Sequence, residues 1–156
     1  IKFSGAGNEA VSCLEMNVME QFRRAGGDIL SQVKTPDTGH GIDIAVSFNQ
    51  KVGLVECDGE KYHFNRWPGG LIKLDGQSIL QTLIHAKEMY KPIVRLPAPF
   101  VYIQGDAGEG WANLAKAIEQ SKPGAYMVTP EGGLSADLRM SWPLFEEHLK
   151  AKPSQP

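Results

Sequence analysis

The stretch from Gly41 to Phe64, GIDIAVSFNQKVGLVECDGEKYHF, constrains the fold of this chain more than any other segment. Ile42 to Phe48 and Val52 to Asp58 are rich in β-branched residues, and the polar Asn49-Gln50-Lys51 separates them. That pattern predicts two strands closing as a hairpin. If Asn49 and Gln50 form a two-residue turn, Phe48 faces Lys51, Ala45 faces Leu54 and Asp43 faces Glu56. A four-residue loop keeps this register, whereas a three-residue loop shifts it by one and exchanges the faces. In the favoured register the Cβ atoms of Asp43 and Glu56 lie roughly 4.5–5.5 Å apart on one face. Asp58, two residues further along, falls on that face as well. Ile42, Ile44, Val46, Val55 and Cys57 are expected to point the other way, into a core.

Three carboxylates on one patch of sheet repel one another, and a cation, a basic partner or a bound proton must offset the repulsion. Magnesium chemistry uses such an arrangement: the carboxylates hold a hard cation that activates water and neutralises charge on a phosphodiester. A shifted register would instead leave them as strand-end carboxylates in water. Spacing alone leaves both readings open.

The remaining pattern predicts helices and strands in alternation. Val11, Leu14, Val18, Phe22 and Ala25 recur at helical spacing from about Glu9 to Ala25, with Gly26-Gly27 as the stop. A second helix is expected from about Ser78 to Tyr90, with Ile79, Leu83, Ala86 and Tyr90 on its inner stripe. Pro92 to Leu96 reads as a third strand and Phe100 to Ile103 as a fourth. Glu109 to Gln120 reads as a helix, Tyr126 to Thr129 as a short strand, and Ser141-Trp142-Pro143 as the start of a last helix. The sum is an α/β fold, a mixed sheet flanked by helices. With 156 residues the chain suits a single domain, about 1–151, followed by a tail over 152–156.

Charge and cysteine content narrow the function. Sixteen Lys and Arg against eighteen Asp and Glu give a net charge of −2, which excludes nucleic-acid binding by bulk basicity. Cys13 and Cys57 make no disulfide framework or zinc motif. Reduced thiols in an intracellular compartment are the default expectation, with an organelle or delivery into a host cell left open. No apolar run reaches the ~18 residues of a membrane helix.

Ile42-Asp43-Ile44-Ala45 followed by Val55-Glu56-Cys57-Asp58-Gly59-Glu60-Lys61-Tyr62-His63-Phe64 resembles the RAP domain, a family named as an RNA-binding domain abundant in apicomplexans. Lys73, Asp75, Leu80, Leu83, Tyr90, Ile93, Val94 and Arg95 fit the helix and strand that follow in that family. The resemblance covers about Ile42 to Ile103 and leaves about 109–151 as a helical extension. It implies the restriction-endonuclease-like fold of the PD-(D/E)xK group. In that setting Asp43 and Glu56 take metal-ligand positions for Mg²⁺ or Mn²⁺, with the backbone carbonyl of Cys57 as a further ligand. Glu15 matches a helix-borne acidic position found in some members. The sequence departs from the group at the usual catalytic lysine, where Asp58 stands. Lys61 or Lys73 could substitute, or His63 could serve as general acid or base.

Each residue also has a plainer role. Ser12-x-x-Glu15 matches a capping box, the reading favoured for Glu15. Asp58-Gly59 suits a strand-ending turn, and Trp67 before Pro-Gly-Gly suits a loop anchor better than a base-stacking platform. Lys61, Arg66, Lys73 and Arg95 are expected to face phosphates. The sequence thus points to a nucleic-acid-processing domain, a metal-dependent phosphodiesterase acting on RNA and less readily on DNA. An inactive RNA-binding module is the alternative. A protein-interaction module of a larger or secreted effector is a third, with Trp111 and Trp142 in the C-terminal third as anchors.

Overall fold

The computed structural model describes residues 13–30, 33–34, 41–58, 64–66 and 72–139. The hairpin is its centre. β4 (Ile44–Phe48) pairs antiparallel with β5 (Lys51–Asp58), with Ala45 opposite Leu54 and Phe48 opposite Lys51. Asn49 and Gln50 have φ of 50° and 70°, the two positive values that a tight type I′ turn demands.

Around this pair a six-stranded mixed sheet assembles in the order β1-β4-β5-β8-β9-β10. β1 (Asp28–Ile29) joins β4 antiparallel. β8 (Pro92–Pro97) and β9 (Gly124–Val128) continue from β5 in parallel, and β10 (Leu134–Ser135) closes the other edge antiparallel to β9. The chain therefore has the expected α/β class with a mixed sheet flanked by helices. Two small ribbons stand apart from it. β2 (Val33–Lys34) pairs with β3 (Gly41–Ile42), and β6 (Phe64–Arg66) with β7 (Ile72–Leu74).

The strand expected over Ile42 to Phe48 is broken at Asp43. The bend there interrupts the two-residue alternation. Ile44, Val46 and Val55 enter the larger core, with Cys57 packed against it, whereas Ile42 falls in a second cluster with Ala45, Leu54, Ala86 and Ile93. The expectation that Ile42 shares a face with Ile44 is corrected accordingly.

Helix α1 (Cys13–Arg24) contributes Val18, Met19 and Phe22 to the larger core; residues 9–12 of the expected helix lie outside the described residues. Helix α2 (Gly76–Met89) starts at Asp75, whose Oδ1 accepts the Ser78 N–H at 2.7 Å, a side-chain N-cap. Its inner stripe is not the expected one. Ser78, Ile79, Thr82, His85 and Ala86 are buried, whereas Leu83 and Tyr90 are 51% and 79% exposed. A small polar residue can occupy the inner face when the backbone takes its hydrogen bond, as Thr82 Oγ1 does by donating to Ser78 O at 2.6 Å.

Phe100 to Ile103 belongs to helix α3 (Ala98–Gln104), not to a strand. Pro97 is its N-cap and Pro99 lies in its first turn, where a missing N–H costs nothing. The β-propensity of Phe-Val-Tyr-Ile is overridden by packing, since Phe100 and Val101 are buried. Helix α4 (Glu109–Gln120) has the expected bounds. Its Trp111 meets Phe100 and Phe22 edge-on, at centroid distances of 5.0 and 5.9 Å, and donates through Nε1 to Gly105 O at 2.9 Å. A tryptophan 2% exposed is a core residue, so Trp111 is not the surface anchor expected for a protein partner. Trp142 and the last helix lie outside the described residues. Among the described residues no helix is long and apolar enough to cross a membrane.

Candidate carboxylate site at the strand ends

The break at Asp43 and the carboxyl ends of β5 and β8 meet at one place. Open α/β sheets characteristically bind ligands at the carboxyl ends of parallel strands. Asp43 and Glu56 face each other here and are tied reciprocally. The Cys57 N–H donates to Asp43 Oδ2 at 2.9 Å, and the Asp43 N–H donates to Glu56 Oε1 at 2.9 Å. Each carboxylate thus satisfies a backbone donor that the bend removes from the β-ladder. One oxygen of each is committed in this way.

Glu15 of α1 is near enough to help raise the Asp43 pKa through its charge and hydrogen bonding, and Glu56 Oε2 lies 3.7 Å from Arg95 Nη1. Ser12, the other half of the expected capping box, lies outside the described residues. The Glu15 side chain is engaged with Asp43. Burial, followed by the charges of Glu56 and Glu15, raises the Asp43 pKa from 3.8 to about 8. Burial, then the charge of Asp43, also pushes the Cys57 thiol well up.

Asp58 and Arg95 form a second layer. Arg95 Nε donates to Asp58 Oδ2 at 2.9 Å, and Arg95 Nη2 donates to Asp58 Oδ1. Both residues are buried, at 0% and 1% exposure. Burial raises the Asp58 pKa to about 6, against the opposing pull of Arg95. Burial alone would lower the Arg95 pKa, but Asp58 outweighs it and holds the guanidinium above its ordinary value. Arg95 therefore points into the protein, and the expectation that it faces phosphates is replaced by a buried, two-carboxylate contact.

The other candidates are placed less fully. Lys61, His63 and Trp67 lie outside the described residues. Arg66 and Lys73 are placed by backbone only, Arg66 opposite Ile72 and Lys73 opposite Asn65 in the β6–β7 ribbon. The fold thus unites Asp43, Glu56, Asp58 and Arg95 from the expected set and brings Glu15, the helix-borne acid that the resemblance offered, near Asp43. One signal for the Arg95 contact was present in Pro92 to Pro97: a lone charge inside an apolar parallel strand requires a buried counter-charge.

All the donors here are oxygens, as a hard divalent cation takes, and a cation could displace the proton that Asp43 holds. Among the described residues no group of three or more His, Cys, Asp or Glu is already arranged to hold a metal ion. Binding one would therefore require Glu15, Asp43 or Glu56 to turn. The chain matches none of the protein-family profiles, curated proteins or solved structures with which it was compared.

Proposed function

We propose that this domain is a divalent-cation-dependent phosphodiesterase acting on RNA, and less readily on DNA, built on a RAP-like, restriction-endonuclease-like core. The observation that supports it best is the convergence of Glu15, Asp43 and Glu56, where burial and the neighbouring carboxylates raise the Asp43 pKa to about 8. A site crowded with like charge and held partly protonated is built to accept positive charge. Asp43, Glu56 and the Cys57 carbonyl would hold Mg²⁺ or Mn²⁺, with Glu15 beside them. The bound cation would polarise a phosphodiester and lower the pKa of water. The Cys57 N–H and the Asp43 N–H hold the two carboxylates in place. Asp58 fills the position of the group's lysine and is bound to Arg95, so proton transfer falls to His63, Lys61 or Lys73.

That same substitution favours a second reading, an RNA-binding module without hydrolysis, because a buried Asp–Arg pair places no ammonium at the reacting phosphate. One experiment separates the two. Purified protein is incubated with single-stranded RNA and with DNA, with and without Mg²⁺ or Mn²⁺. RNA cleavage that needs the cation, and falls at least about a hundredfold in Asp43→Ala, is expected of the enzyme. Salt-sensitive RNA binding that is unchanged in Asp43→Ala, without cleavage, supports the second reading. Neither cleavage nor binding would defeat both.

A further inference from the structure

We infer that Arg95 is a positioning residue of the carboxylate site, acting through Glu56, and that Asp58 serves to aim it. The inference rests on the cation-binding reading above and concerns the roles of two residues that the reading leaves unassigned.

The geometry of the guanidinium carries the argument. Nε and Nη2 form one edge of the planar fork, and both engage Asp58. That pairing fixes the plane of the group. The remaining nitrogen, Nη1, is left facing Glu56 Oε2 at 3.7 Å. The parallel register puts Arg95 directly across from Glu56 in β5 and β8, so the approach is set by the strand pairing and not by a flexible loop. Glu56 is consequently oriented at both oxygens, by the Asp43 N–H on Oε1 and by Arg95 at Oε2.

A counter-charge for Asp58 alone would need no third nitrogen turned toward a site carboxylate. Arg95 is buried, so its influence on the site passes through Glu56, which it approaches at 3.7 Å. Asp58 at the lysine position then has a role: it draws a guanidinium from the neighbouring strand toward the site. A lysine at position 95 could not reproduce this, because one ammonium cannot make the side-on pair and still face Glu56.

The test is Mn²⁺ binding by the full chain, titrated calorimetrically without nucleic acid. Removing Arg95 alone strands the buried Asp58 carboxylate, so the main variant is the double change Asp58→Asn with Arg95→Gln, which deletes both charges of the pair. Far-ultraviolet circular dichroism and the melting temperature without metal establish that it folds. A positioning role predicts Mn²⁺ affinity at least about tenfold weaker than in the wild type, although the net charge near the site is unchanged. A purely structural pair predicts unchanged affinity, because the two deleted charges cancel near the site, and that result overturns the inference while leaving the cation reading intact. Arg95→Lys, which keeps the charge, is the second variant. It should also bind Mn²⁺ more weakly than the wild type, and equal affinity would overturn the inference even if the double variant failed to fold. A wild-type chain that takes up no Mn²⁺ defeats the cation reading and this inference together.

Discussion

At the scale of single residues, Asp43 carries the site's proton. Its pKa of about 8 and the value of about 6 at Asp58 both stand above the ordinary 3.8. A carboxyl group whose pKa is higher folded than unfolded stabilises the fold while protonated, and that contribution is lost as pH rises through the folded value. The stabilising contribution is therefore complete below pH ~4; it is lost first at Asp58 and then, approaching pH 8, at Asp43. The melting temperature of cation-free protein should fall across that range. Asp43→Asn keeps an acceptor for the Cys57 N–H and removes the titration, so it should flatten the segment between pH 6 and 8. An unchanged slope there would assign the proton elsewhere. Added Mn²⁺ should recover stability at pH 8 in the wild type and not in this variant.

At the scale of elements, the hairpin was legible in the sequence because its determinants are local. Alternating β-branched residues on both sides of Asn49-Gln50 admit few registers with the apolar face inside, and the structure has the one in which Ala45 faces Leu54. The turn carries a cost. Gln50 sits at φ 70°, a left-handed conformation that costs an L-residue roughly 1–2 kcal/mol and a glycine almost nothing. Gln50→Gly should stabilise the protein by about 1 kcal/mol in urea denaturation, the larger unfolded-state entropy of glycine taking back part of the gain. Helix α2 shows where local pattern misleads. Leu80, Leu83 and Ile84 were as apolar as Ile79 and Ala86, and nothing in the helix itself said which stripe the sheet would cover. Phe100 to Ile103 misled for a related reason: a strand-forming composition followed two prolines that begin a helix equally well.

At the scale of the whole molecule, the larger core joins helices that are distant in sequence around Trp111, with Phe22 and Phe100 as its edge-on partners. Trp111→Ala should cost about 3–5 kcal/mol, because the cavity is bounded by three separate elements that cannot all collapse into it. Denaturation by urea measures this directly, and a loss below about 1 kcal/mol would mean that the core repacks. The acidic pair Asp43 and Glu56 was readable from the hairpin register, since thirteen residues joined by a tight turn leave their meeting to local geometry. Glu15 against Asp43, and Arg95 against Asp58 and Glu56, were not. Their meeting depends on where α1 docks and on a β5–β8 pairing whose partners lie 39 residues apart, and no local propensity encodes either. The sequence by itself determined the α/β class, the hairpin and its register, and the crowding of carboxylates at one strand end, because short-range sterics and period-two burial suffice for these. The tertiary structure alone decided what surrounds that charge: Glu15 of α1 beside Asp43, and a buried guanidinium that long-range packing brings to Asp58 and Glu56.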